Sequence, residues 1–243
     1  MTTAMRQDPY LWVHLAGLAV VPLAIDLCLA GLATAAPALP VWAELGLVAL
    51  VGTLPVLWMQ WQRPFYIFSL GLVALNPDGL TEAQRQILSR FRSWAVRLAT
   101  LGGAAIALLI LWQLYRIAPA AAAPFAQINR LGGLAVAAIA FLGLNLFIQV
   151  PISVACVLLT PVKALEKATP PAVERIKADF LIPGLWVPRI LPEIRVSPAL
   201  SPAVNAAVEP PAEPAAEPAE FQSEPAEPTE LQTPYEDPED LWE

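Results

Sequence analysis

The residues best suited to chemistry in this chain are set inside long apolar runs. Asp26 and Glu44 are carboxylates in such runs, where an ionisable side chain is costly and is by default a functional candidate. A short loop, residues 33–40, joins the two runs, so both carboxylates are expected at similar depth near one face. Carboxylates held close together can share a proton. Interfacial placement, with each group snorkelling or capping a helix end, is the plainer reading and the favoured one. His14, about one turn into the first run, has the chemistry to ligate a chlorophyll magnesium or a haem iron; a hydrogen bond to a neighbouring helix or headgroup is the commoner use of such a residue. Asn145 and Gln149, four residues apart, share a helix face and suit interhelical hydrogen bonds. Arg97, at the start of another run, suits snorkelling to phosphates.

What is missing narrows the choice. The chain has no G-x-x-x-x-G-K-[ST] loop, no H-E-x-x-H and no G-x-S-x-G elbow, the signatures of nucleotide binding, zinc hydrolysis and serine hydrolysis. With two cysteines and one histidine there is no plausible Cys/His zinc site. Cys28 and Cys156 are expected near opposite faces, too far apart for a disulfide. Nor do two halves with matching interrupted helices point to a secondary transporter. No catalytic residue, metal site or cofactor is expected, and the chain reads as a non-enzyme.

The elements that would position these residues follow from hydropathy. The 243-residue chain is 57% hydrophobic and 14% charged, with a mean hydropathy of +0.57; soluble domains carry about 25% charged residues. Four stretches, about 10–32, 41–61, 94–115 and 131–159, are each long enough for a hydrocarbon core that takes roughly 20 helical residues. The fold class is therefore an all-α integral membrane protein of about four transmembrane helices, with interfacial amphipathic helices and a disordered tail. Residues 1–9 form the N-terminus, 10–162 the membrane body, 163–195 a juxtamembrane interfacial segment and 196–243 the tail. Within the loop 62–93, the apolar residues 64–75 are too short for a span and suit an interfacial or re-entrant segment. Thr81-Glu82-Ala83-Gln84 is a capping-box sequence opening an amphipathic helix over 80–92. Its Leu80, Ile87, Leu88 and Phe91 fall on one side, leaving Arg85, Arg90 and Arg92, with Arg97, for lipid headgroups. Pro170-Pro171 starts a short surface helix, and Pro183, Pro188 and Pro192 make the segment after it an extended strap along the membrane or a partner.

Charge placement sets the expected orientation. The first and third loops hold two basic residues, Arg116 and Arg130, against twelve on the other face, so both termini are expected in the cytoplasm. Arg6, an apolar core and Ala33-Thr34-Ala35 also resemble a signal peptide. The run is longer than an h-region and carries Pro22 and Asp26, which favours a retained span. Residues 1–195 carry a net +5, whereas residues 196–243 hold no Lys or Arg, a net −12 and ten prolines. Such a tail buries too little apolar area to offset ordering and is expected to be disordered and extended. Gly102, Gly103 and Ala107, and Gly132, Gly133, Ala137 and Ala140, give small-xxx-small faces that serve packing within the chain or between chains.

Arg6-Gln7-Asp8-Pro9-Tyr10-Leu11-Trp12 followed by His14 to Ala19, Phe65 to Leu70, Leu80 to Arg85, and the Pro/Glu tail together resemble the cyanobacterial low-complexity tail membrane proteins. That resemblance covers residues 5–195, the tail matching in composition alone. It implies a thylakoid or plasma membrane of a cyanobacterium and brings no functional residues with it. The expected function is a non-enzymatic accessory or assembly factor for a membrane complex, such as a photosynthetic one. Its partners would be the lipid bilayer and a membrane protein, reached through the helix bundle or the acidic tail, with no nucleic acid. The alternative is a small transporter or channel using Asp26 and Glu44.

Overall fold

The computed structural model describes residues 6–191, apart from 123 and 126. The acidic tail, with the expectation of disorder placed on it, lies outside the described residues. Helical stretches Pro9–Leu32, Val41–Gln62, Trp94–Ala120 and Arg130–Leu159 are long and apolar enough to cross a membrane, as expected. The first is α1 (Pro9–Ala16), a 3₁₀ turn (Gly17–Val20) and α2 (Val21–Leu32). Pro22 has no N–H to give to the preceding turn, so the helix restarts with proline in its first turn. α3 is Val41–Gln62, α4 is Glu82–Arg90, and α5 is Trp94–Ile117, prolonged by a 3₁₀ turn to Ala120. α6, Arg130–Leu159, runs through Pro151.

α6 is the axis of the body. It packs on α2, α3 and α5, while the first and second apolar stretches do not pack closely on each other. Half of its most apolar stretch is buried inside the protein, against 22–33% for the others. Small residues permit the closest crossing: a Cβ on Gly31 would fall 2.7 Å from the Gly133 carbonyl oxygen, and one on Gly133 would fall 2.6 Å from that of Gly31. Gly103, Ala107, Gly133, Ala137 and Ala140 are likewise buried within the chain, so their small-residue faces serve internal packing; Gly102 faces outward. Leu23, Leu50, Leu54, Ile106, Leu109 and Ile139 stay exposed on the outside of the bundle, the surface that a bilayer would cover.

One end of the bundle carries a cap. β1 (Ser69–Leu70) and β2 (Val73–Leu75) form a hairpin, and β3 (Leu185–Val187) joins β2 in parallel, pairing Val73 with Leu185 and Leu75 with Val187. α7 (Val162–Glu166) and α8 (Val173–Asp179) complete it. Of residues 64–75, expected as an interfacial or re-entrant segment, 69–75 form this hairpin, and the strap expected along the membrane or a partner pairs at Leu185–Val187 with the chain's own β2. The physical reason is mutual: neither short strand can satisfy its backbone alone, and each supplies the other's edge. The strap also approaches very closely at Gly184. Its φ is +80° and a Cβ there would overlap the Leu72 backbone, so only glycine fits.

Leu80, Ile87, Leu88 and Phe91 of α4 and its flanks are buried against Tyr10, Leu11, Tyr66, Phe68, Val154, Val157, Ile176 and Phe180. The apolar side of the amphipathic helix is covered by the protein itself. Its capping box is present as expected, with Thr81 and Gln84 exchanging side-chain and backbone hydrogen bonds.

Candidate functional site

Four antiparallel helices bring the end of the first, the start of the second, the end of the third and the start of the fourth to the face opposite the cap. Depth alone therefore assembles Glu44, Tyr115 and Arg130. Glu44 is fully buried and Arg130 is 7% exposed. The Arg130 guanidinium forks onto the carboxylate: Nε donates to Oε1 at 3.0 Å and Nη2 donates to Oε2. Tyr115 donates its hydroxyl to Oε2 at 2.9 Å, and the Ala38 and Leu39 amides donate to Oε1 at 3.0 and 3.3 Å. Arg130 Nη1 donates to the carbonyls of Leu32 and Thr34 at 2.6 and 2.9 Å. It also reaches that of Ala35, whose φ of +52° is otherwise unfavourable for a residue with a Cβ. Bidentate pairing is the strongest geometry available to these two groups. Chemically the cluster is a clamp tying all four helix ends, with a cavity of about 270 Å³ beside it lined by Leu32, Ala35, Tyr115 and Arg130.

The spacing in sequence puts Glu44 and Asp26 at similar depth, with separate interfacial placement favoured over a proton-sharing pair, and makes Arg130 a loop charge. The structure separates the carboxylates. Asp26 is exposed on α2, in a shallow depression with Leu23, Leu27 and Ala122, and among the described residues it makes no hydrogen bond to Glu44. The signal missed was shared depth: Glu44 lies in the first turn of its helix, Arg130 opens its own and Tyr115 lies near the end of another.

A second polar line runs along the bundle interior. Asn145 donates to the Phe141 carbonyl at 3.0 Å and to Thr53 Oγ1 at 3.5 Å; Gln149 donates to Asn145 Oδ1 at 3.2 Å; Ser153 donates to the Gln149 carbonyl at 2.8 Å. The Asn145–Thr53 bond joins α3 to α6, and the other three lie within α6, so the expected interhelical bond is made by Asn145 and not by Gln149 among the described residues. Gln149 Oε1 and Gln60 Nε2, an acceptor and a donor, are buried with no partner among the described residues.

The remaining candidates lie at the cap end. His14 Nδ1 is 2.8 Å from the Tyr10 carbonyl, and its ring lies 5.6 Å from that of Phe65. One ring nitrogen is thereby engaged by its own helix. Of the arginines offered to headgroups, Arg90 donates to the Ala164 carbonyl and Arg92 pairs with Asp179. Arg97 lies over Trp94 and Trp61 at 5.3 and 5.7 Å, while Arg85 is half-buried with its Nε unpartnered among the described residues. Asp8 caps α1 through the Tyr10 amide and accepts from Gln84 at 3.1 Å. Burial pushes its carboxyl above the ordinary aspartate value, against the pull of those two hydrogen bonds. Burial also raises the Tyr66 phenol.

Comparison with known proteins bears on the whole body at once. A family model described as low-complexity tail membrane protein-like matches residues 7–192. No curated protein and no solved structure matches the chain.

Proposed function

Because the chain belongs to the low-complexity tail membrane protein-like family, we propose that it is a multi-pass, non-enzymatic accessory or assembly factor for a membrane complex. In this reading both termini and the cap face the cytoplasm of a cyanobacterial cell, in the thylakoid or plasma membrane, and the acidic tail recruits basic partner surfaces. The observation that carries it is the saturated clamp. The Glu44 oxygens accept five hydrogen bonds from Arg130, Tyr115, Ala38 and Leu39, so the carboxylate is committed to holding the helices together. A carboxylate that moves protons or ions needs an alternative partner within reach, and Asp26 does not offer one. This arrangement favours a static scaffold over a small transporter working through Asp26 and Glu44. Residues 196–243 carry a net charge of −12, whose attraction for a basic surface is screened beyond about 8 Å at physiological ionic strength.

The test is recovery of a membrane complex through an N-terminal tag at low and high salt, for the full chain and for one ending at Arg195. The expected result is salt-sensitive recovery that truncation abolishes. Recovery of nothing above background, or recovery indifferent to both salt and truncation, would sink the proposal. Proton or ion flux in proteoliposomes that disappears in the Asp26→Asn, Glu44→Gln variant would support the transporter in its place.

A further inference from the structure

The bundle is open on one side. Between the first and second apolar stretches α6 is uncovered, and two apolar cavities lie there side by side. One, of about 390 Å³, is lined by Val13, His14 and Gly17 of the first stretch and by Phe147 and Pro151 of α6. The other, of about 540 Å³, is lined by Pro55, Trp58 and Met59 of α3 and by Ile139 and Gly143 of α6. Leu146 lines both. Each falls in the range of about 300–1,000 Å³ usual for ligand pockets, and together they form a groove along the membrane-facing side of α6.

The cap closes one end of this groove. Phe65, Leu70, Gly71 and Pro183 line the first cavity, and Leu181 and Arg63 line the second. Arg63 is exposed there. Its Nη2 is anchored by the carbonyls of Lys177 and Phe180 at 3.1 and 3.2 Å, which holds the guanidinium at the rim. Nε and Nη1 make no hydrogen bond, and no carboxylate pairs with the group, among the described residues. A guanidinium offers five donors, so several remain for an anion.

We infer that this groove holds one anionic phospholipid, with an acyl chain along α6 and its phosphate on Arg63. Two features favour a lipid over a helix from another protein. A transmembrane helix, about 10–12 Å across, has to continue past the interface, and the cap roofs the groove at that level. A lipid ends there, with its negative headgroup opposite Arg63, the one unneutralised Lys or Arg lining the groove among the described residues. The site does not depend on whether the tail recruits a partner, so either proposal can fail alone.

The test is native mass spectrometry of the full chain in neutral detergent, titrated with phosphatidylglycerol or phosphatidylcholine. One phosphatidylglycerol should be retained per chain, about five- to tenfold more tightly than phosphatidylcholine, whose phosphate is compensated by its own choline, as one guanidinium facing one net headgroup charge near a surface allows. Arg63→Gln should erase the preference and Arg63→Lys should keep most of it. Gly143→Phe supplies an independent arm, because a Cβ at Gly143 meets no atom within 4 Å. It should lower retention of both lipids while leaving the melting temperature in detergent unchanged. Equal retention of the two lipids by the native chain would overturn the inference. So would phosphatidylglycerol binding untouched by both Arg63→Gln and Gly143→Phe, or loss of a dimer band on a native gel in Gly143→Phe with lipid retention intact.

Discussion

The two ends of the bundle are held by different physics. At the cap, Tyr66, Phe68, Ile87, Leu88, Phe91, Ile176 and Phe180 are buried together, and stability is spread over many apolar contacts. At the opposite end, one carboxylate and one guanidinium, both buried, gather four helix termini and a turn. Apolar burial is graded, since removing one side chain leaves the rest of the core in place. A buried ion pair is closer to all-or-none, because losing one partner strands the other charge out of water. A membrane body with few polar atoms concentrates them: among the described residues no folded cap covers this end, and one saturated cluster fixes the loop ends.

The largest expected effect is at the clamp. Arg130→Met leaves Glu44 buried and unpaired, at a cost of about 3–5 kcal/mol, and should produce a large fall in melting temperature in detergent. Adding Glu44→Gln should restore most of it, since a neutral pair has no stranded charge. A double variant as unstable as Arg130→Met would show that the loss lies in packing around position 130.

Leu88→Ala in the cap core should cost about 2–5 kcal/mol and loosen α4, β2 and α8 while the clamp holds. Limited proteolysis should cut first in the cap segments of this variant. First cutting in the loop around residues 33–40 would show that the two ends are not independent.

The smallest expected effect has the opposite sign. Ala35 sits at a φ of +52° beneath the Arg130 guanidinium, a conformation that costs an L-residue roughly 1–2 kcal/mol. Ala35→Gly relieves that strain but frees the unfolded chain, so a net gain of up to about 1 kcal/mol is expected in thermal denaturation. A loss would indicate that the Ala35 methyl packs where the strain argument gives it no role.

How far each feature could be read from the chain follows from the range of its cause. The four apolar helices were legible because length and hydropathy are local. So was the capping box, since Thr81 and Gln84 answer each other three residues apart. The shared face of Asn145 and Gln149 is legible from i, i+4 spacing, whereas the hydrogen bond between them, within one helix, is not. The small sheet was not legible: Ser69–Leu70 and Val73–Leu75 are too short to show an alternating pattern, and β3 is more than a hundred residues downstream of its partner. The clamp was missed for a related reason. Arg130 looks like an ordinary loop charge until its helix is placed beside that of Glu44, 86 residues earlier. The groove and Arg63 follow only from knowing which helices do not pack closely on each other.

Hydrogen exchange with mass spectrometry, comparing the native chain with Arg130→Met in detergent, tests the two-ended account most directly. Protection should fall in residues 30–44 and 115–133, which the clamp holds, and stay unchanged in α4 and the β1–β2 hairpin. Loss of protection in the cap, or a uniform loss along the chain, would contradict it.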